Sequence, residues 1–277
     1  MAASIRIFPS EDPDIRPIME LVVAAHWPHR PEDIKAAMDL GRVWLAQVDA
    51  HGGIAGIAAW WAYGAAAARI GLVIVSPNYQ GRGIGRQLVE RILDEGGSRG
   101  WMLLSTEAGR SLYQKLGFRI LGSAQRHQGI YRHEPVTDSR IRMASADDYA
   151  RLMKLDHSAM GADRGAILRH LFEHGQTTIL SDSGQAIGFA VSRRFGPGSV
   201  VGPIVAPSER DAIALFKASA RPGFVRVDRP MEAARLGQHL DGCGLEGDEV
   251  SDVMVLGAWP AESESVQAFA MAGHAWG

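Results

Sequence analysis

The spacing of apolar and polar residues predicts that the chain opens with a strand followed by two helices. Ser4 to Phe8 alternate between polar and apolar residues, which is typical of a strand buried on one face. Asp14 to Ala25 instead place their apolar residues at helical spacing, and the prolines of the segment His26–Pro31 end that helix. A second, short helix is predicted over Glu32 to Asp39.

The following hundred residues or so contain apolar runs separated by turn residues, a pattern that predicts a sheet with helices between some of its strands. Residues 49–53 are expected to form a hairpin turn between the first two of these strands. The predicted strands are Val43–Val48, Ile54–Tyr63, Ala66–Val75, Trp101–Ser105 and one starting at Phe118, and the predicted helices run from residue 84 to about Glu95 and from Gly109 to Leu116.

A polar, proline-containing stretch, His133–Ser139, marks a boundary after which the same order of elements begins again. Strands, helices and a proline-terminated strand recur in sequence, so we predict two copies of one fold. The domains are placed at residues 1–135 and 140–260, and the tail, residues 261–277, is expected to pack on the body. The predicted elements of this half are strands at Arg140–Met143, Thr177–Leu180, Ala186–Ser192, Val200–Val205, Val225–Val227 and Asp252–Leu256, and helices at Asp147–His157, Arg164–His174, Asp211–Ala220 and Met231–Leu240.

Composition excludes several classes of protein. The 277 residues are 46% hydrophobic and 22% charged, as in ordinary globular proteins, and the net charge of -2 disfavours a general nucleic-acid binder. A single cysteine, Cys243, excludes an intrachain disulfide framework and a multi-cysteine metal site. No apolar run approaches the length of a membrane span and the first residues show no signal-peptide pattern, so we expect a cytoplasmic protein without a membrane partner. The sequence leaves monomer and homodimer open.

The segment after Pro77 carries the candidate chemistry, because a glycine-rich turn, Gln80-Gly81-Arg82-Gly83-Ile84-Gly85, joins a strand to a helix. Glycines let a backbone adopt positive φ and approach a ligand closely, and the N–H groups at a helix start bind anions such as a pyrophosphate. Arg82 and Arg86 add positive charge. The Rossmann and Walker spacings are both absent, which leaves the pattern Gln-x-x-Gly-x-Gly. This turn has two alternative interpretations: it could belong to a nucleotide-phosphate enzyme, or it could be a glycine-rich hairpin without a ligand.

This pattern resembles the acyl-CoA-binding motif of the GCN5-related N-acetyltransferase (GNAT) family. The family also carries a Leu-Tyr-x-x-x-Gly-Phe segment downstream, which matches Leu112 to Phe118. The resemblance implies an α/β chain of two tandem acetyltransferase-type domains, each a central, mostly antiparallel sheet flanked by helices. It implies acetyl-CoA as co-substrate, with the backbone of Val73, Ile74 and Val75 on the pantetheine arm and Gly81, Arg82, Gly83, Ile84, Gly85 and Arg86 around the pyrophosphate.

The implied reaction is transfer of the acetyl group to a primary amine of a small molecule, amino acid or peptide by direct attack. A non-catalytic acyl-CoA sensor is the alternative. Tyr113 matches the family's general acid, unless it only packs on the cofactor. In many relatives a glutamate on the strand before the motif acts as the general base, but residues 66–75 of this chain contain no acidic residue. Glu107 is therefore the first candidate for the base and His26 the second. The alternative for Glu107 is a carboxylate that only complements a helix start, and the alternative for His26 is a histidine of the surface or of the packing.

The second half departs from the family pattern at the equivalent turn, Val205 to Asp211. This turn has no glycine, and Glu209 and Asp211 would repel phosphate. We therefore predict that this half does not bind CoA and that it completes the acceptor pocket or stabilises the first domain. Trp27, Trp60, Trp61 and Tyr63 could line an acceptor pocket, although core packing is favoured for each.

Overall fold

A computed structural model describes residues 4–10, 14–49, 52–136, 138–261 and 265–277. Strands and helices alternate through the first half much as the hydrophobic pattern predicts. The hairpin predicted at residues 49–53 lies partly outside the described residues. The elements are β1 (Ile5–Ser10), α1 (Ile15–Ala24), α2 (Pro31–Leu40), β2 (Arg42–Val48), β3 (Ile54–Tyr63), β4 (Ala67–Val75), α3 (Ile84–Gly96), β5 (Gly100–Ser105), α4 (Glu107–Lys115) and β6 (Arg119–Tyr131).

The second half repeats this order. Its tail contributes a further strand, which the sequence pattern did not predict. The elements are β7 (Ile141–Met143), α5 (Tyr149–Met160), α6 (Gly165–His174), β8 (Gln176–Asp182), β9 (Gln185–Phe195), β10 (Gly198–Ala206), α7 (Glu209–Ser219), β11 (Gly223–Pro230), α8 (Ala234–Gly242), β12 (Leu245–Leu256) and β13 (Gln267–Ala270). No helix among the described residues is long and apolar enough to cross a membrane.

The two halves share one sheet instead of forming two separate ones. Its order is β1-β2-β3-β4-β5-β12-β6-β11-β10-β9-β8-β7, with β13 on β10. Strand β12 of the second half lies between β5 and β6 of the first, and β6 in turn pairs with β11. Among the described strands, only the pairs β4–β5 and β10–β11 are parallel, which confirms a mostly antiparallel sheet. Each half therefore completes the sheet of the other.

Strands β6 and β12 are long, with 13 and 12 residues, and β12 begins seven residues before the predicted Asp252. Charged residues and glycines interrupt their apolar alternation, so the local pattern indicated only their most apolar ends. They extend because each finds hydrogen-bonding neighbours on both sides, β11 and β12 for β6, and β5 and β6 for β12. The hydrophobic core is shared as well, since one cluster contains Trp61 and Leu72 from the first half and Leu155 and Phe189 from the second.

Strand β4 separates from β5 before it ends. Its parallel pairing with β5 stops at Ile70 opposite Leu103, while its pairing with β3 continues to Val75 with a bulge between Gly71 and Ile74. Leu72 lies in this bulge with a φ of 52°, a conformation that non-glycine residues seldom adopt. The last residues of β4 therefore have no strand neighbour on the β5 side among the described residues, and a groove opens there.

Candidate active site

The glycine-rich turn adopts the backbone conformation that its sequence predicts. Gly81 and Gly83 have φ values of 74° and 77°, in the left-handed region that favours glycine. Gly83 is the N-cap of α3 and supplies no side chain to cap it, and the first helical bond runs from the Gln87 N–H to the Gly83 carbonyl. The three N–H groups of residues 84–86 thus have no acceptor within the helix. They form an anion site at its positive end.

The groove beside β4 leads from this turn towards the centre of the sheet. It encloses about 440 Å³. The Ser76 N–H donates to Ala55 O on β3, so by alternation along the strand the Val75 N–H faces the groove, and Val73, which lies in the bulge, lines the groove as well. Gln80 Nε2 donates to Val75 O at 3.1 Å and fixes the turn on the strand end. Among the predicted cofactor residues, those lining the groove are Val73, Ile74, Val75, Gln80, Gly81, Gly83, Ile84, Gly85 and Arg86.

Arg82 is the one predicted cofactor residue that does not line the groove. Its guanidinium lies over the Tyr79 ring, 5.1 Å from the centroid, and its Nη2 lies 3.4 Å from Asn78 O. Arg86 does line the groove and pairs with Glu90 at 2.7 Å. A long slot with strand amides along one wall and free N–H groups at one end fits a pantetheine arm and its pyrophosphate.

A second cavity, of about 370 Å³, adjoins the inner end of the groove. We call it the acceptor cavity. The two share the lining residues Ala25, Trp27, Val73, Thr106 and Tyr113. Tyr113 therefore stands at the junction, where a thioester at the end of the pantetheine arm would meet a molecule in the acceptor cavity.

Tyr113 is buried, with 7% of its surface exposed, and its ring packs edge-on against Phe118 at 5.9 Å. It lies on α4, and Gly109, one turn before it, leaves room for its ring: a Cβ there would approach Tyr113 Cε2 to 3.0 Å. Burial raises the pKa of the Tyr113 phenol well above its ordinary value, because the phenolate would lose its hydration. The hydroxyl stays protonated and can act as a proton donor.

The structure separates the two candidates for the base. His26 lines the acceptor cavity from the loop between α1 and α2, and its φ of 56° is unusual for a non-glycine residue. Glu107 is the first residue of α4, is exposed, and lines neither the groove nor the acceptor cavity. The geometry therefore gives Glu107 the position of a carboxylate at a helix start, where it complements the helix dipole.

Of the four aromatic residues considered for the acceptor pocket, only Trp27 lines it. Trp60 and Trp61 are buried on opposite faces of β3, where their Nε1 groups donate to Glu95 Oε2 and Ala37 O, both at 2.9 Å. Tyr63 is also buried, and its hydroxyl donates to Trp276 O. These three residues hold the core together, as core packing predicts.

The second half supplies one wall of the acceptor cavity through Arg226, Glu249, His274 and Ala275. The charges on this wall are paired. Arg226 binds Asp228 at 2.9 Å, and Arg126 of β6 binds Glu249 at 2.7 Å. Local sequence patterns do not indicate these residues, because they come from strands and a tail far from the motif.

Two further histidines, His29 and His274, line the same cavity. Burial is the main cause that lowers the pKa of each to about 4, and Arg226 adds to it in both cases. His29 stacks edge-on against Phe195 at 5.1 Å and its buried Nδ1 has no hydrogen-bond partner within the described chain. His274 Nε2 lies 3.1 Å from Ser251 Oγ. Both imidazoles are therefore neutral at pH 7.

Comparison with known proteins agrees with this architecture. Two sequence profiles, each described as an acetyltransferase (GNAT) domain, match residues 39–120 and 152–270. An uncharacterised N-acetyltransferase of Bacillus subtilis strain 168, YitH, is 28% identical over 246 residues, which is 86% of each chain.

Solved structures show the same fold over nearly the whole chain. A candidate acetyltransferase from Pyrococcus horikoshii superposes with a TM-score of 0.78 at 22% identity, covering 99% of this chain and 96% of the other. A GCN5-related N-acetyltransferase from Sphaerobacter thermophilus gives a TM-score of 0.64 at 14% identity, with 94% and 98% covered. The GNAT domains matched in both halves confirm the family that the Gln80–Gly85 turn indicated. The chain is a tandem member of the GNAT family and an acyltransferase.

Proposed function

We propose that this chain transfers an acetyl group from acetyl-CoA to a primary amine of a small molecule, amino acid or peptide by direct attack. The observation that carries the proposal is the meeting of the groove and the acceptor cavity at Tyr113. Two cavities that open on each other let both substrates bind together, so the amine can reach the thioester without a covalent enzyme intermediate.

The groove residues have distinct tasks in binding acetyl-CoA, which supplies the activated acyl group. The N–H groups of residues 84–86 bind the pyrophosphate, and the inward N–H group of Val75 pairs with a pantetheine amide. Val73 lines both cavities, and we assign its N–H to stabilising negative charge on the carbonyl oxygen.

Tyr113 donates the proton that the departing thiolate needs. Burial keeps the phenol protonated until this step. Its pKa lies above that of the thiol formed, about 8.5 to 10, so the transfer is completed by the cationic nitrogen of the tetrahedral intermediate, which gives a proton to the phenolate as the carbon–sulfur bond breaks and the amide forms. The acceptor amine must first lose a proton, at a cost of roughly 4 kcal/mol at pH 7 for an amine of pKa about 10. We assign this proton to His26 rather than to His29 or His274. His29 and His274 have pKa values of about 4 and are therefore weak bases, because each unit by which burial lowers the pKa of an imidazole costs about 1.4 kcal/mol.

A screen of primary amines with acetyl-CoA, followed by release of the free thiol, tests the proposal. Calorimetric titration with acetyl-CoA should run in parallel. We expect saturable binding of acetyl-CoA and thiol release that depends on at least one amine. Binding without release in the presence of any amine would indicate an acyl-CoA sensor. If ATP or NAD but not acetyl-CoA raised the melting temperature of the protein, both the acetyltransferase and the acyl-CoA sensor would be refuted.

A further inference from the structure

The second half contains a gap between β10 and β11 at the place where the first half has its groove. The parallel pairing of β10 with β11 stops at Val200 opposite Arg226. Strand β10 also bulges between Val201 and Ile204 against β9, as β4 bulges against β3. Both strands end just before a proline, Pro77 or Pro207. The edge of β10 at residues 204–206 thus corresponds to the pantetheine-facing edge of β4.

Strand β13 fills this gap. It pairs antiparallel with β10, with Ala270 opposite Ile204 and Ala268 opposite Val205. On the other side, the Met271 N–H donates to Asp228 O of β11 at 2.8 Å. Gly202 permits the close approach, because a Cβ there would overlap with Met271 O. A peptide strand with amides on both edges replaces the amide-bearing arm of a cofactor.

The helix start in the second half is closed as well. Ser208 Oγ accepts from the Asp211 N–H at 3.2 Å and caps α7, whereas the N-cap of α3 is a glycine that makes no such bond. The first turn of α7 also carries the carboxylates of Glu209 and Asp211, and Glu209 Oε2 already accepts from the Leu236 N–H at 2.9 Å. The first turn of α7 is therefore less suited to a pyrophosphate than that of α3, because Ser208 caps it and two carboxylates lie there.

Beyond β13 the chain turns into the acceptor cavity, where His274 and Ala275 form part of the wall. Contacts from several strands fix this segment: Arg193 Nη2 of β9 donates to Ala272 O at 3.2 Å, and Ser251 of β12 bonds His274. Ala275 lies beside the bulge of β4, with its Cα 3.2 Å from the position of a Cβ on Gly71. The pairing of β13 with its neighbours, together with these contacts, therefore determines the position of His274 and Ala275 in the cavity wall.

We propose that β13 is a built-in substitute for the pantetheine arm in the second half, and that this anchoring makes His274 and Ala275 the wall that selects the acceptor. The selecting role rests on the proposed function, whereas the seating of β13 does not. In the second half, β13 thus occupies the position that corresponds to the cofactor groove and supports the acceptor site of the first half.

Hydrogen exchange of residues 267–277 tests the seating of β13. In Gly202→Ala the added methyl must displace Met271, so exchange in this segment should accelerate about tenfold or more. Gly198→Ala is the matched control, because its Cβ would overlap with Phe224 O of β11 at the end of β10 that is remote from β13. Acetyl-CoA titration should give one site per chain in the wild type and in both variants. Unchanged exchange in Gly202→Ala, or a second acetyl-CoA per wild-type chain, would overturn the proposal.

Straight-chain primary amines from ethylamine to hexylamine test the selecting role. Ala275→Leu should lower kcat/KM for hexylamine relative to ethylamine by about tenfold or more, because each methylene lost from a pocket is worth that order of discrimination. The KM for acetyl-CoA should not change. Ala234→Leu, at an exposed position on α8, is the control. An unchanged size preference would overturn the selecting role. No thiol release with any amine would overturn the proposed function and the selecting role together, while hydrogen exchange would still decide the seating of β13.

Discussion

The neutral histidines of the acceptor cavity should make the protein lose stability at mildly acidic pH. His29 and His274 have pKa values of about 4 in the folded protein, against about 6.5 in an unfolded chain. The folded pKa is the lower one, so the stability that each imidazole contributes is fully present above pH 6.5. It is lost as pH falls towards 4, because the unfolded chain then binds a proton that the folded chain does not.

Their surroundings explain why both imidazoles stay neutral. Arg226, Arg69 and Arg126 oppose a charge on His274, and only Asp228 favours it. Arg226, Arg193 and His274 oppose a charge on His29, and Asp33 favours it. Linkage then gives a loss of about 2 kcal/mol per histidine between pH 7 and pH 5. For the pair the expected loss is about 4 kcal/mol, a large share of the stability of a typical domain.

Urea unfolding of the wild type and of His274→Gln at pH 7 and pH 5 measures this effect. Glutamine keeps a partner for Ser251 but cannot be protonated, so the variant should lose about 2 kcal/mol less than the wild type over this interval. His157→Gln, at an exposed position on α5, controls for the loss of a histidine as such. If the wild type and His274→Gln lose the same stability within about 0.5 kcal/mol, then His274 is not held neutral and the reasoning fails.

Three further outcomes are expected at the catalytic site. Tyr113→Phe should lower kcat by about 10²- to 10⁴-fold with little change in the Kd of acetyl-CoA, as measured by thiol release and calorimetry, whereas Tyr131→Phe, buried elsewhere, should not. Gly81→Ala should weaken acetyl-CoA binding at least about tenfold. Its control is Gly97→Ala, which has a similar φ (68° against 74°) and an equally open Cβ position but lies at the far end of α3, and it should bind normally. His26→Gln should lower kcat/KM about 10²-fold. A loss of similar size in Glu107→Gln would instead return the base to Glu107.

Much of the first half could be predicted because its signals are local. The pattern Gln80–Gly85 requires backbone conformations that glycine alone adopts easily, and Gly81 and Gly83 adopt them. Tyr113 could be placed because α4 and the following strand are adjacent in sequence. Helix starts were less certain: α4 begins at Glu107 instead of Gly109, and α8 at Ala234 instead of Met231. The termini of helices depend on single capping interactions, which hydrophobic periodicity does not specify.

By itself the sequence determined the order of elements as far as β12, the position of the glycine-rich turn at Gln80–Gly85 and the absence of that motif from the second half. These features depend on residues within a few turns or strands of one another. Only the tertiary structure decided that β12 lies between β5 and β6 and that β13 fills the gap beside β10. These pairings join residues far apart in the chain, and the free strand edges that accept them exist only once the sheet has formed. The wall of the acceptor cavity, with His274 and Ala275, follows from these pairings and so could not be read from any local pattern.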